Sequence, residues 1–519
     1  MSDHSSASYL LNMRRTSRWR LIAGVGLAGA AFSRARRGGA GARQPGERRG
    51  QEGWRKRINS HEAFLHDSID SLGYDWGRIA DPSVRPGFPL KIYLPRTTDD
   101  IVAAVAEAKA LGQPLAIRAK GHSSNDLVVS EGGSILLTEK LNSILEIDDR
   151  AMTVTVQPGL ASADVDDVLA QRGLGLPVIG DHAHVTVGGF CSVGGITASS
   201  FRYGLFVDVV ERIEYVDWDG NVIVCSRTER PDDFYKVLLG LGRHGVIAAV
   251  TVRIVRIEKY STIWRNQRTL YRSLDAWLDA SRRYLAQPPP DARFMRGAWT
   301  DLGRVGLGQF SAYRDCEQTT TARWRNEVVY GFLHGLGYTA GRLPTSIDRA
   351  LKYVGLAGVL FSPRYATIKN AESFSDKILD AGVGDPTRYR VAIARMSAYD
   401  AVCRRLLALL RAYRERHGCF SAITLYVKGI TSAYLSRGDA DDQQWVEVLF
   451  YVAIRPERMS PELLDRLTAE FDDICIATDS YRYMHSKTSK DSRRRASIDP
   501  NEFYSSRAAA PATDVRHAT

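Results

Sequence analysis

Long apolar runs are missing from this chain of 519 residues. The longest stretch, residues 21–32, holds twelve, whereas a bilayer-spanning helix needs about 20. Cysteine is sparse: Cys191, Cys225, Cys316, Cys403, Cys419 and Cys475 form no C-x-x-C and stand at no metal-ligand spacing from histidine. That argues against a zinc site and a dense disulfide framework, and leaves buried free thiols as the expectation. No P-loop is present, and no G-x-G-x-x-G follows a first strand, which disfavours ATP and Rossmann dinucleotide sites. An excess of positive charge is also missing from most of the chain. The net charge is +11, but residues 1–60 hold 13 Lys and Arg against 3 Asp and Glu, so the remainder is close to neutral. A nucleic-acid partner is therefore not expected, because the charge sits in a tail and is not interleaved with aromatics.

What is there fits a globular chain, with 44% apolar residues and a length above what one core usually organises, so two domains are expected. Residues 1–60 read as a basic arm or an export signal. Arg14-Arg15 has the start of a twin-arginine signal, but the following Thr-Ser-Arg departs from the usual pattern. The location is accordingly cytoplasmic or exported, and the sequence leaves both open. Low complexity is confined to residues 34–57 and no internal repeat is visible.

From Pro89, "PLKIYLPRTTDDIVAAVAEAKALGQPLAIRAKGHS" reads as strand, threonine-capped helix, break, strand and loop. Asp148-Asp149 and Asp219-Gly220 mark hairpins, "SADVDDVLAQRG" a short helix, and "RPDDFYKVLLGLGRHGVIAAVTVRI" a helix, a glycine elbow and a long strand. Residues 85–257 form one α+β domain on this reading. From 258 to 476 longer helices ("SLDAWLDASRRYLAQ", "YDAVCRRLLALLRAYRERHG") alternate with strand-like runs, giving a second domain. Residues 477–510 have no core of their own and must lean on one of the two.

Three loops of the first domain are dense in glycine: "RAKGHSSND", "GDHAHVTVGGFCSVGGITASSFRYG" and "GLGRHGVI". Glycine lets backbone approach a ligand and turns N–H groups toward phosphate oxygens. Any one of the loops could be a tight turn, but three in one domain point to an extended, phosphate-bearing cofactor. No metal site is expected.

These loops, in this order, resemble the PCMH-type FAD-binding domain of the vanillyl-alcohol-oxidase superfamily, and most closely that of cytokinin dehydrogenases. The resemblance is strong over residues 85–257 and returns at "EVLFYVAIRP" and "YRYMHSKTS". It implies a two-subdomain flavin-binding domain, an α+β substrate (cap) domain, and a C-terminal segment returning to the flavin domain. It also implies FAD covalently bound through His122, with Gly121 and Ser123 beside it. Thr186, Gly188, Gly189, Ser192 and Ile196 are implied along the pyrophosphate and ring, with Val246 and Tyr483 as further contacts. Asp181, five residues before Thr186, falls where the family's catalytic aspartate takes a proton from the substrate, chemistry that a partly desolvated carboxylate can perform. His182 and His184 are bystanders on this reading.

Two departures bear on the substrate. Cytokinin dehydrogenases carry an acidic residue where "FMRG" has Arg296, and their His-Pro-Trp segment has no counterpart here. A guanidinium facing the site favours an anionic or polyhydroxylated substrate; alternatively Arg296 is an exposed strand residue on the outer face. The resemblance thus implies an FAD-linked oxidoreductase that takes hydride from a C–H next to N or O of a small molecule and passes electrons to oxygen or another acceptor. The alternatives are a sugar, alditol or aldonolactone oxidase of the same superfamily, and a non-catalytic flavin-binding protein.

Overall fold

The computed structural model describes residues 72–73, 87–123, 127–180, 185–259, 261–303, 305–316, 364–372, 388–439, 442–454, 458–489 and 491–509. Strand β1 (Lys91–Tyr93) runs into Thr97, which opens α1 (Thr98–Ala110) with a reciprocal cap: Thr97 Oγ1 accepts from Asp100 N at 3.1 Å, and the Asp100 carboxylate accepts from Thr97 N. Ile101, Ala104, Val105 and Ala108 recur at helical spacing and form the buried stripe of α1. Strand β2 (Leu115–Arg118) follows, then β3 (Ser134–Leu137), which lies between β1 and β2 and parallel to both. The strand-helix-strand unit expected from sequence is present, with its two strands separated by a slot that β3 fills.

A second sheet is antiparallel, in the order β4-β5-β9-β7-β8. Its hairpins are β4 (Ile144–Asp148) with β5 (Thr153–Val156), and β7 (Val210–Val216) with β8 (Val222–Ser226). In the latter turn the Asp217 carboxylate accepts from Asp219 N and Asn221 N at 2.9 and 2.8 Å, and Gly220 adopts φ +86°. Helix α2 (Ser162–Ala170) and the short strand β6 (Leu174–Gly175) precede two helices, α3 (Val187–Val193) and α4 (Ser200–Tyr203). Helix α5 (Pro231–Val237) leads to β9 (Val246–Arg253), the central strand, and β10 (Val255–Arg256) pairs back onto β6.

The remaining strands build one antiparallel sheet of eight, in the order β14-β11-β13-β12-β16-β17-β15-β18. They are β11 (Ile263–Tyr271), β12 (Ala292–Asp301), β13 (Gly306–Asp315), β14 (Tyr365–Thr367), β15 (Arg388–Arg395), β16 (Phe420–Thr431), β17 (Gln444–Ile454) and β18 (Tyr481–Arg482). Helices α6 (Leu274–Ala286), α8 (Tyr399–His417) and α9 (Pro461–Ala477) cover one face, where Trp277, Leu406 and Phe471 share a core with Phe310, Leu425 and Phe450; the short α7 (Ile368–Glu372) follows β14. The opposite face meets the flanking domain: Val391, Ile393, Ile430 and Trp445 join Phe190, Ile196 and Phe206 in one core. Two short helices, α10 (Ser492–Ile498) and α11 (Glu502–Ala509), end the described chain.

These elements belong to one compact unit, Trp54–Thr519. All six cysteines are free, and five are buried. Among the described residues no helix is long and apolar enough to cross a membrane.

A buried ion cluster pins the two sheets' domains at their seam. Lys259 Nζ lies 2.9 Å from Asp166 of α2 and 3.0 Å from Glu372 of α7, and donates to Leu176 O at 3.1 Å. Burial pushes the Glu372 carboxyl up to about 7, against the pull of Lys259. Removing the ammonium strands two carboxylates away from water, so Lys259→Met is expected to cost about 3–5 kcal/mol of stability, read from the midpoint of urea unfolding.

Candidate functional site

Two of the glycine loops meet at helix α3. Thr186 caps it, its hydroxyl accepting from Gly189 N at 3.3 Å. Gly188 N donates to Pro158 O at 2.9 Å, and a Cβ on Gly188 would lie 2.5 Å from Pro158 Cβ, so only glycine fits. The elbow that follows α5 docks on the last turn of α3: Leu239 N donates to Cys191 O at 2.9 Å and Leu241 N to Ser192 O at 3.1 Å. Both leucines are left-handed, with φ of +54° and +55°, a conformation that costs on the order of 1–3 kcal/mol at each non-glycine residue. Gly242 completes the convergence. A Cβ there would meet Ile117 Cδ1 at 3.1 Å, on the strand leading directly to Gly121, His122 and Ser123.

The residues singled out from sequence are placed as follows. Gly121 is buried at φ +67°, and His122 and Ser123 are half-buried beside it. Thr186, Gly188 and Ile196 are buried, and Gly189 and Ser192 half-buried, along one helix and the turn after it. Tyr483, in the C-terminal segment, reaches the same place, its hydroxyl accepting from Gly195 N at 3.2 Å. Val246 is fully buried, but its side chain belongs to the core under α1, with Ile101 and Ala104, so a cofactor contact there falls to the backbone. Asp181, with His182 and His184, lies outside the described residues. Arg296 stands apart from the glycine loops, on β12. It is 5% exposed, donates to Tyr313 Oη at 3.4 Å, and lies over the Phe294 and Tyr313 rings.

Several features fit a flavin dinucleotide. Among the described residues Ser123 Oγ is buried without a hydrogen-bond partner, a group that a ligand would satisfy. A Cβ on Gly189 would meet only Thr186 Oγ1, at 3.2 Å, so its backbone is open to close approach. Among the described residues no group of three His, Cys, Asp or Glu could hold a metal ion.

The elbow is also held from behind, by residues that sequence reasoning missed. The Asn501 amide, fully buried, donates to Leu238 O at 2.7 Å and Tyr434 Oη at 2.8 Å, with longer contacts to Tyr235 O and Lys236 O. Its oxygen accepts from Arg243 at 2.9 Å and Ser505 at 2.6 Å, while Arg243 pairs with Asp499 at 2.8 Å. An asparagine in a polar tail carries no sequence signal for this role. Also missed are Lys428 and Glu447, a buried ion pair at 2.9 Å on the same sheet face as Arg296.

Residues 89–226 match the model of an FAD binding domain family. The chain is 32% identical over 200 residues to cytokinin dehydrogenase 2 of Arabidopsis thaliana, covering 38% of this chain and 38% of that protein. It is 26% identical over 240 residues to D-arabinono-1,4-lactone oxidase of Eremothecium gossypii, covering 42% and 45%. The alignments thus span less than half the length of these relatives. Across the fold, the crystal structure of 6-hydroxy-D-nicotine oxidase from Arthrobacter nicotinovorans superposes with a TM-score of 0.56 at 17% identity, covering 85% of this chain and 91% of that one. Residues 89–226 thus carry an FAD binding domain, and the chain as a whole shares the fold of that oxidase. The α+β architecture expected from sequence is the one observed.

One titration reports on the elbow. His244 shares a hydrogen bond with Ser505 at 3.1 Å, and burial together with the Arg243 guanidinium pushes its imidazole down from 6.5 to about 4. Between those values the unfolded ring is protonated and the folded ring is not, so stability is full above pH 6.5 and is lost as pH falls toward 4. Thermal midpoints should decline through that window, and His244→Gln should flatten the decline.

Proposed function

We propose that this protein is an FAD-dependent oxidoreductase that takes hydride from a C–H bond next to nitrogen or oxygen of a small molecule, in the manner of cytokinin dehydrogenases, and delivers the electrons to oxygen or another acceptor. The observation that carries the reading is the meeting of glycine loops at α3: the loop that holds α3 lies within the stretch that matches an FAD binding domain, and the elbow that follows that stretch docks on it and reaches the strand leading to Gly121. Bound FAD supplies the two-electron acceptor, and the redox chemistry belongs to the cofactor.

The chain's own residues bind, orient and take a proton. Thr186, Gly188, Gly189 and Ser192 would line the diphosphate, the Thr186 hydroxyl with its own proton to donate and the glycines by letting backbone come close. Gly121, Ser123, Ile196 and Tyr483 would flank the ring, and Ser123 has a buried hydroxyl to offer. His122 would anchor the ring covalently, a role supported by its place behind Gly121 in the loop after β2. Asp181 would accept the proton that the substrate's N–H or O–H gives up as C=N or C=O forms.

Acid-precipitated protein should stay yellow, and His122→Ala should release its flavin on precipitation or fail to bind it. Flavin freed quantitatively from the unaltered protein would remove the covalent link and leave FAD binding standing. Separately, Asp181→Asn should slow anaerobic flavin reduction about 10²–10⁴-fold with the bound-flavin spectrum preserved; reduction at the unaltered rate would reduce the carboxylate to a turn residue.

A further inference from the structure

The seam between the FAD-binding domain and the eight-stranded sheet holds an open cavity of about 500 Å³, a size in which small molecules are commonly held. Leu176, Pro177 and Tyr203 line it from one side, and Trp264, Ile368 and Glu372 from the other. Val255 of β10, half-buried, contributes to the wall between them. None of the residues expected to hold the flavin lines this cavity, so it is a separate place in the molecule.

One ionisable side chain of the wall is buried. Glu372 is 8% exposed, while the charged residues around it are half-buried or exposed. Glu372 shares Lys259 with Asp166: the ammonium lies 3.0 Å from Glu372 Oε2 and 2.9 Å from Asp166 Oδ1. One cation thus serves two carboxylates. Lys369 is 3.8 Å from Asp166 but closer to Asp167, at 2.7 Å. Burial, and after it the Asp166 charge, pushes the Glu372 carboxyl up to about 7 against the pull of Lys259. The cations on the solvent side are engaged or remote from this charge. Arg293 is held by Asp315 at 2.7 Å, Arg172 lies 3.7 Å from Asp149, and Arg256 is exposed two residues before the equally exposed Glu258.

We infer that this cavity is a second ligand site, which takes a protonated amine with an apolar body. The ammonium would rest on Glu372 and the body on Leu176, Pro177, Val255, Ile368 and the ring of Trp264. Both Glu372 oxygens accept from Lys259, at 3.2 and 3.0 Å, yet a carboxylate offers about four acceptor positions, so a second ammonium can share it. That cation would bring the buried cluster from one against two to two against two. An anion would meet the carboxylate instead, and its available partners would be exposed guanidinium groups, for which water competes. A neutral ligand would leave the buried charge as it is. The site joins the flavin domain to the sheet, and it stands whether or not the oxidoreductase reading does.

The test is titration calorimetry of the full chain with 1-adamantanamine, adamantane-1-carboxylate and 1-adamantanol. The carbon that bears the amine carries no hydrogen, so a flavin that takes hydride from a C–H next to nitrogen cannot consume the probe. At about pH 8 the amine should bind about tenfold or more tightly than the alcohol or the carboxylate. An amine keeps its proton to about pH 10, so the response below that belongs to the protein. Glu372, titrating at about 7, is mostly ionised at about pH 8 and mostly protonated at about pH 6, so the amine's affinity should fall about tenfold between them. Glu372→Gln should weaken the amine about tenfold or more at the higher pH and remove the pH dependence. Val255→Trp, which fills the cavity and keeps every member of the ion cluster, should abolish binding, and it keeps the test open if Glu372→Gln fails to fold. No binding of the amine, equal binding of the carboxylate, or unchanged affinity in Val255→Trp or in folded Glu372→Gln would overturn the inference. Flavin loading and reduction are measured apart from these titrations, so either result leaves the oxidoreductase reading to its own tests.

Discussion

The buried amide of Asn501 is the contact on which the cofactor side of this molecule depends. It caps the carbonyls that α5 leaves exposed as the chain turns into the elbow, and it does so from the far end of the polypeptide. The elbow needs this support. Two consecutive turns are made by leucines in the left-handed region, where β-carbons crowd the backbone. Strain of that kind persists only when the surroundings over-determine it. Here they do so twice: α3 takes the elbow's N–H groups on one side, and Asn501 takes its carbonyls on the other.

The same logic extends outward. Arg243, inside the elbow, is paired with Asp499 and bonded to Asn501, so the turn and the tail share one network and neither end can be released alone. Tyr434, from the loop after β16, donates its hydroxyl to Leu238 O and receives the Asn501 amide. The eight-stranded sheet is thereby tied to the flavin domain at two levels. Its apolar ends share cores with that domain, and its loops feed the network behind the elbow.

Much of this frame was legible in the sequence because it rests on local chemistry. Thr97 and Asp100 announce the start of α1, Gly220 the hairpin after β7, and the 3.6-residue periodicity the helices at Leu274–Ala286 and Tyr399–His417. The glycine loops were legible too, because glycines that tolerate positive φ or close backbone contact leave few substitutes. What escaped is non-local. Periodicity identifies β1 and β2 but not that β3 lies between them. Leucine favours helix, so nothing marks Leu239 and Leu241 as left-handed. In "ITLYVKG" the alternation gives Ile423, Leu425 and Val427 one face and Thr424, Tyr426 and Lys428 the other, which reads as an ordinary solvated side. A second layer over that side makes Lys428 a buried residue.

The position of Asn501 also orders events during synthesis. Chains grow from the N-terminus and domains tend to fold as they emerge, so the loops around α3 exist long before the amide that steadies their elbow, which lies 263 residues beyond Leu238. Until that residue leaves the ribosome, the strained turn has only one of its two supports. The elbow is then fully supported only in the finished polypeptide, with the tail as the last element to dock behind it.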